Sequence, residues 1–264
     1  MKKLINALNS CRKKLRDALP LSVGLLLTLR ANPILGLGFR TFQKHFKIDG
    51  MTFEVPLEQQ SLSSLASYWF KDYELAERNF INAYIRPSDK VCELGGCLGV
   101  VSMTINRLLQ DPKTHLVVEA NPALIHFLER NRKRNNGDFQ IRHCAVGGNK
   151  PLQFSVSGNI LTNRVANEVS QETVIVEALP LSALISEYGS FDVLVMDIEG
   201  SEKYVILSDD ESWKAMRLII LEWHPSIMGQ KNFEKAQEKM SSAGFECLAS
   251  EKGQTHIVEV WTRE

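Results

Sequence analysis

The chain has 264 residues, of which 44% are hydrophobic and 23% charged, so it can bury one large core and is not a disordered protein. Its 31 lysines and arginines balance its 31 aspartates and glutamates, which argues against a protein built to coat nucleic acid. The five cysteines show no CxxC or Cys/His ligand spacing. Neither a disulfide framework nor a metal site is therefore predicted, and a reducing, cytoplasmic location is expected.

The first 19 residues predict a basic amphipathic helix, because their apolar residues share one helical face and most basic residues lie elsewhere. This helix could pack on its own domain or on a second copy in a homo-oligomer, or it could lie on an anionic membrane surface. The apolar run of residues 18–29 ends at Arg30, too early for a membrane span, and residues 31–33 form a poor cleavage site. We therefore expect an unprocessed, soluble protein.

Further along, KHFKIDGMTFEVP predicts a β-hairpin, since Asp49-Gly50 is a favoured two-residue turn between alternating strands. From Tyr73 onward helices and strands alternate, which predicts a mostly parallel sheet with helices on both faces. The predicted strands are KVCEL, HLVVEA, FQIRHCAV, FDVLVMDI and RLIILEW. AGFECLAS and THIVEVWT predict an antiparallel hairpin at the sheet edge. We thus expect a helical and hairpin extension over residues 1–72 and an α/β domain over 73–264.

The stretch CELGGCLG follows the first strand of the predicted parallel sheet, where ligands usually bind. Gly95 and Gly96 would let the main chain approach a ligand closely, and Gly99 would let the next helix start near the strand. The dinucleotide fingerprint GxGxxG is absent, because Cys97 and Val100 occupy its second and third glycine positions, and no P-loop GK[ST] follows. A merely tight strand-to-helix turn would also explain these glycines.

Glu119 ends the second predicted strand 20 residues after Gly99, a distance at which an acid can accept hydrogen bonds from both ribose hydroxyls of a cofactor. A helix-capping role is the other interpretation of Glu119, although Asn121, directly before Pro122, is the better cap. Ribose binding alone does not separate a methyl donor from NAD.

Four segments of the chain together resemble the FkbM family of S-adenosylmethionine-dependent methyltransferases. They are VCELGGCLGVVSM, VVEANPALIHFLERN, RHCAVGG and VEALPLSALISEYGSFDVLVMDIEGSEKYVIL, of which MDIEGSE matches the family signature D-[VI]-E-G-x-E. The resemblance implies a Rossmann-like methyltransferase fold and S-adenosylmethionine as cofactor, with Glu93 facing its ammonium group. The implied cofactor contacts are Glu93, Gly95, Gly96, Cys97, Gly99, Glu119, Asn121, Cys144, Ala145 and Asp197.

Two positions depart from the family pattern. Cys97 replaces its usual asparagine, and Val195 replaces a lysine common two places before the signature aspartate. Cys97 and Cys144 can also be explained simply as small apolar residues that fill the core.

Three residues are candidates for catalysis, namely Asp197, Glu199 and His224. The two acids leave a strand at alternating positions, so both can face the reaction only if the chain turns at once, which Gly200 would permit. An acidic start to the next helix is the structural alternative for them, and a hydrogen-bonded structural histidine is the alternative for His224.

We expect methyl transfer to a hydroxyl oxygen of a sugar, lipid or small metabolite, without a nucleic-acid partner. An NAD-dependent oxidoreductase and a non-catalytic scaffold that retains the cofactor fold are the alternatives. Bound S-adenosylhomocysteine would decide against the oxidoreductase, and a closed acceptor cleft would favour the scaffold.

Overall fold

The structure is a computed structural model that describes residue 29 and residues 32–147, 151–155, 173–253 and 255–263. The predicted amphipathic helix of residues 1–19 lies outside the described residues. The strands are β1 (His45–Ile48), β2 (Met51–Glu54), β3 (Val91–Leu94), β4 (His115–Glu119), β5 (Gln140–His143), β6 (Ala145–Val146), β7 (Leu152–Ser155), β8 (Thr173–Val176), β9 (Ala178–Leu179), β10 (Val193–Met196), β11 (Leu218–Trp223), β12 (Glu246–Lys252) and β13 (Ile257–Thr262). The α-helices are α1 (Pro33–Phe42), α2 (Leu62–Ser67), α3 (Leu75–Tyr84), α4 (Val100–Asn106), α5 (Pro122–Arg134), α6 (Leu181–Tyr188), α7 (Glu202–Ile206), α8 (Pro225–Met228) and α9 (Gln230–Ser242).

A seven-stranded sheet in the order β12-β13-β11-β10-β3-β4-β5 forms the centre of the fold. The five strands from β11 to β5 run parallel, and β13 runs antiparallel to both of its neighbours, β11 and β12. Every residue of β3, β4, β10 and β11 is buried, as expected for strands covered by helices on both faces. The predicted parallel sheet and its C-terminal hairpin are confirmed, and the carboxyl ends of these four strands meet at one edge.

The carboxylate of Glu259 links the C-terminal hairpin to its neighbouring strand β11 through hydrogen bonds. Oε2 of Glu259 accepts hydrogen bonds from Nε1 of Trp223 on β11 (2.8 Å) and from Nε1 of Trp261 on β13 (2.9 Å). All three side chains are buried. The pairing of β13 with β11 is therefore reinforced by side chains as well as by the main-chain ladder.

The predicted strand FQIRHCAV is interrupted in the structure. Its first half is β5 in the main sheet, whereas Ala145 and Val146 form β6 and pair with β9 in a separate two-stranded sheet. The nitrogen of Ala145 donates to the oxygen of Glu177 at 2.8 Å, which draws the chain away from the main sheet after Cys144. The prediction of one continuous strand was wrong at this point.

The hairpin predicted around Asp49-Gly50 is confirmed, with Ile48 paired to Met51 across the turn. It is held to α5 by Asn131, whose Oδ1 accepts from the nitrogen of Glu54 (2.7 Å). Nδ2 of the same side chain donates to the oxygens of Glu54 (3.0 Å) and Leu98 (2.9 Å). Since Leu98 belongs to the glycine turn after β3, one buried amide connects the hairpin, α5 and that turn.

None of the helices in the described ranges is both long enough and apolar enough to cross a membrane.

Candidate functional site

The glycine turn between β3 and α4 lies against the ends of two neighbouring strands. The nitrogens of Gly95 and Gly96 donate to the oxygen of Val118 on β4 at 2.8 and 3.1 Å. A Cβ at position 95 would lie 1.9 Å from the oxygen of Asp197, the residue that follows β10. Glycine is therefore required at position 95, because the backbones of the turn and of Asp197 touch there.

Packing within the protein explains the other two glycines of this turn. A Cβ on Gly96 would lie 2.5 Å from the side chain of Val117, and one on Gly99 would lie 2.9 Å from Leu128. Gly99 also has a left-handed backbone (φ +85°) where it begins α4. The tight-turn interpretation of the three glycines thus has direct support, and it is compatible with a ligand lying above the turn.

Cys97, one of the two departures from the family pattern, has a left-handed backbone with φ +45°. Asparagine adopts this conformation several times more readily than most residues, which explains why the family favours it here. The Cys97 thiol lies 3.6 Å from the hydroxyl of Tyr73, and burial raises its pKa well above the usual value.

Glu119 joins the glycine turn to the end of β4. Its Oε2 accepts from the nitrogen of Cys97 (2.7 Å) and its Oε1 from the nitrogen of Asn121 (2.6 Å). Burial raises the pKa of Glu119, while these hydrogen bonds act to lower it. Asn121 caps α5, as predicted, by accepting from the nitrogen of Ala123 (3.1 Å). Each carboxylate oxygen of Glu119 keeps a second lone pair for a ligand hydroxyl.

Glu93 is buried below the turn and has partners inside the protein. Its Oε1 accepts from the hydroxyl of Ser102 (2.8 Å), and its Oε2 lies 2.9 Å from Nε2 of His115. The structure therefore gives this carboxylate a role in fixing β3 to α4 and β4. Its expected contact with the cofactor ammonium stays a prediction.

Cys144 and Ala145 follow β5, close to the end of β4. Nε2 of His143 lies 3.2 Å from the oxygen of Ala120, which connects the two strand ends. Cys144 is packed in the hydrophobic core, and burial raises the pKa of its thiol to about 11. This position fits the core-filling interpretation of Cys144, and the predicted cofactor contacts of both residues remain untested.

The signature MDIEGSE turns sharply as soon as β10 ends. Glu199 has φ +52° and Gly200 has φ +89°, so two successive residues adopt left-handed backbones. This turn brings both acids of the signature to one imidazole. Nε2 of His224 lies 3.9 Å from Oδ1 of Asp197 and 3.6 Å from Oε2 of Glu199. The three predicted catalytic residues therefore lie together.

Two further carboxylates surround His224. Its Nδ1 lies 3.1 Å from Oε1 of Glu202, which also accepts from the nitrogen of Gly200 (3.0 Å). Its Nε2 lies 3.2 Å from Oε1 of Glu222. Although burial alone would lower it, the pKa of His224 is raised to about 11 by Glu202, Glu222 and the charge of Asp197. This imidazole is therefore protonated near neutral pH.

Burial acts on the carboxyl groups in the opposite direction. It raises the pKa of Asp197 to about 8 and that of Glu222 to about 10, with His224 opposing both shifts. The side chain of Asp197 is 38% exposed overall, but its Oδ1 is buried and has no hydrogen-bond partner among the described residues. The open part of Asp197 thus faces solvent while Oδ1 faces the imidazole.

The sequence interpretation missed two acids at the start of α3. Glu74, whose backbone is left-handed (φ +50°), and Glu77 line a small cavity with Glu93, Asp197 and Glu222. Oε2 of Glu74 is buried without a partner in the described structure, and burial raises its pKa well above the usual value. Their spacing of three residues on a predicted helix was the available signal, since it places both on one face.

The residues around the turn fit S-adenosylmethionine, the cofactor that the sequence resemblance implies. This molecule carries two cationic groups, a sulfonium and an ammonium, and the partnerless Oε2 of Glu74 suits such a cation. Glu119 offers two acceptor oxygens for the ribose hydroxyls at the end of β4.

Comparison with known proteins agrees with this geometry. The family profile of the FkbM methyltransferase domain matches residues 93–247. A Streptococcus mutans structure assigned as a SAM-dependent methyltransferase has a TM-score of 0.51 at 11% identity, covering 83% of this chain and 55% of that one. The fibrillarin pre-rRNA processing protein of Methanococcus jannaschii gives 0.48 at 10%, covering 85% and 84%.

An O-methyltransferase from Bacillus cereus in complex with SAH has a TM-score of 0.47 at 12% identity, covering 72% of this chain and 82% of that one. The curated proteins include no match to this chain. The structural likeness supports the Rossmann-like fold, and the family match covers more than half of the residues. The chain therefore belongs to the FkbM methyltransferase family, and S-adenosylmethionine is its cofactor.

Proposed function

We propose that the protein transfers the methyl group of S-adenosylmethionine to a hydroxyl oxygen of a small molecule, glycan or lipid. The observation that supports this proposal is the group of carboxylates around His224 at the carboxyl edge of β10 and β11. An alcohol is a weak nucleophile until it loses its proton, so an O-methyltransferase needs a base beside the acceptor. The cluster offers such a base next to the cofactor turn.

Asp197 is the best candidate for that base. Burial raises its pKa to about 8, which is close to the range where a carboxylate exchanges protons efficiently at neutral pH. His224 has a pKa raised to about 11, so its imidazole already carries the proton that a base would have to accept. We therefore assign proton acceptance to Asp197 and charge balance within the cluster to His224.

The proposed reaction uses different residues for binding and for chemistry. When bound, S-adenosylmethionine supplies an electrophilic methyl group. Glu119 would hold the ribose hydroxyls, and residues 95–99 would place main chain beside the cofactor. Asp197 would orient the acceptor hydroxyl and take its proton, and the in-line position at one sheet edge would lower the barrier further.

The test measures transfer from labelled S-adenosylmethionine to acceptor extracts, together with cofactor affinity by calorimetry. Asp197→Asn should keep cofactor affinity and lose about 10²–10⁴ in turnover. Glu119→Gln should weaken cofactor binding by about 1.5–3 kcal/mol, because it removes hydrogen bonds to a charged acceptor.

Glu199→Gln and His224→Ala are the matched controls, since both side chains contact the same cluster. Near-normal turnover in Asp197→Asn, together with a loss of turnover in His224→Ala, would indicate that the base is His224, which follows β11, and not Asp197. Cofactor binding without transfer to any acceptor would favour the scaffold alternative instead.

We also propose a cytoplasmic location. Within the described residues, Cys92, Cys97, Cys144 and Cys247 are all free thiols, as a reducing compartment would keep them.

A further inference from the structure

Four carboxyl groups, those of Asp197, Glu199, Glu202 and Glu222, lie within 3.9 Å of the single imidazole of His224. Glu202 is fully buried, and the side chain of Glu222 is 11% exposed. In the described part of the chain, the only cationic partners of Asp197, Glu202 and Glu222 are the imidazoles of His224 and His256. Buried carboxyl groups ionise only at a cost unless a cation pairs with them, so an additional cation would stabilise this cluster in its ionised form.

Atoms of three residues in this cluster are spaced as the ligands of one ion. Asp197, Glu202 and His224 each offer one ligand atom, and these atoms lie within 4.8 Å of one another. Nitrogen and oxygen ligands bind first-row divalent ions at about 2.0–2.2 Å, so opposite ligands of one ion are about 4.2 Å apart. The three side chains therefore need only small movements to converge on a common centre.

Unsatisfied oxygens in the same set point independently to a ligand. Oε2 of Glu202 is buried and has no hydrogen-bond partner among the described residues, and the same holds for Oδ1 of Asp197. A buried acceptor without a donor costs about 1–3 kcal/mol, and more when it is charged. A bound cation would satisfy both oxygens at once.

We propose that Asp197, Glu202 and His224 bind a divalent cation. One imidazole with two carboxylates is a mixed ligand set that suits ions such as Mn²⁺ or Zn²⁺. An imidazole binds a metal through a neutral nitrogen, so the ion would displace the proton that His224 carries without it. Two of the ligands are buried and Asp197 is partly open, so the ion would keep a position free toward solvent, as catalytic ions do.

The role of this ion rests on the proposed O-methyl transfer, but its binding does not. A cation beside Asp197 would hold the acceptor hydroxyl and make it more acidic. Oδ1 of Asp197, which faces His224, would serve as the ligand, and its Oδ2 would remain to take the proton. The acceptor oxygen would then form its bond to the methyl carbon as the bond from that carbon to sulfur breaks.

The experiment measures Mn²⁺ binding to the full chain after dialysis against EDTA, using the free-ion signal in electron paramagnetic resonance and no cofactor. We expect one saturable site per chain, with competition by Zn²⁺ or Mg²⁺. Glu202→Gln and Asp197→Asn should each weaken Mn²⁺ binding by at least about tenfold. His126→Gln, which changes an exposed histidine away from the cluster, is the matched control and should bind normally.

Circular dichroism checks that each variant is folded, and Asp197→Asn covers the case in which the buried Glu202 variant does not fold. The absence of saturable binding in the wild-type chain, or equal binding in the folded variants, would overturn the site. Methyl transfer that continues unchanged in EDTA would remove the role of the ion while leaving the proposed methyl transfer intact.

Discussion

Gly95 is the residue where the cofactor turn and the end of β10 come closest. Gly95→Ala would place a methyl group 1.9 Å from the oxygen of Asp197, and the residue would also carry φ +99°. We expect the free energy of unfolding to fall by more than about 3 kcal/mol. The backbone would have to move away from the new methyl group, and the alanine would still have a strained conformation. Urea unfolding monitored by circular dichroism measures this loss.

Gly189→Ala is the matched control for that prediction. Gly189 has a similar φ of +92°, but an added Cβ would meet nothing within 4 Å. Its loss should therefore be only the backbone cost of alanine at φ +92° and ψ 179°, about 1–3 kcal/mol. Equal losses in the two variants would show that the contact with Asp197 is not what demands glycine at position 95.

At the residue scale, the sequence identified residues that lie together in the site, but it did not reveal why glycines are required there. The motif positions Glu119, Asp197, Glu199 and His224 do meet at one sheet edge. Gly95 and Gly96, however, were predicted to make room for a ligand, and the atoms nearest to them prove to be protein atoms. A sequence pattern records that a side chain is excluded but not what excludes it, and only the fold supplies the neighbour.

Among the elements, α5 joins two other parts of the fold, because Asn131 connects it to β2 and to the glycine turn. Asn131→Leu keeps the approximate size but leaves three main-chain groups without their partner. We expect a loss of about 2–4 kcal/mol in unfolding free energy and weaker cofactor binding, since the oxygen of Leu98 is one of those groups. Thermal unfolding and calorimetry with S-adenosylmethionine measure the two effects.

Asn82→Leu serves as the comparison on another helix, α3. The Asn82 side chain is exposed and, among the described residues, donates only to the oxygen of Arg78 at 2.6 Å. Its replacement should change stability by no more than about 0.5 kcal/mol. An equally small change in stability in Asn131→Leu would show that the hydrogen bonds of the Asn131 side chain do not hold the hairpin to the glycine turn.

Element types were predictable because their patterns are strong, whereas one break in a strand was not. Buried strands such as β10 and β11 appear in the sequence as apolar runs, and Asp49-Gly50 fixes the hairpin by turn chemistry. The division of FQIRHCAV into β5 and β6 depends on pairing with β9, more than 30 residues later. A local pattern carries no information about such a distant partner.

At the scale of the whole molecule, charge is distributed unevenly along the chain. Residues 1–19 contain six lysines and arginines and one aspartate, although the complete chain has no net charge. On α1 the side chains of Ile34, Leu37 and Phe42 are more than half exposed. We therefore propose that the basic residues 1–19 and the exposed apolar side chains of α1 both support contact with anionic lipid.

Deleting residues 1–19 should abolish sedimentation with anionic lipid vesicles and leave affinity for S-adenosylmethionine nearly unchanged, since the cofactor turn begins after β3. The full chain should not sediment with neutral vesicles. Lys13→Glu combined with Lys14→Glu is the matched variant, because it keeps the length and reverses local charge. Unchanged vesicle binding after the deletion would contradict the proposal, and loss of cofactor binding in a folded deletion would place the segment in the site.

The carboxylate of Glu259 accepts hydrogen bonds from two tryptophan side chains, and the fluorescence of one of them, Trp223, can report on the site. Trp223 is held by that carboxylate and directly precedes His224 in the chain. Indole emission depends on the charge and hydrogen bonding around the ring, so a change at the end of β11 alters the fluorescence of a buried tryptophan. A change in the charge or contacts of the His224 imidazole can thus be measured by intrinsic tryptophan fluorescence, without an attached dye. Trp223→Phe identifies the part of the emission that comes from Trp223.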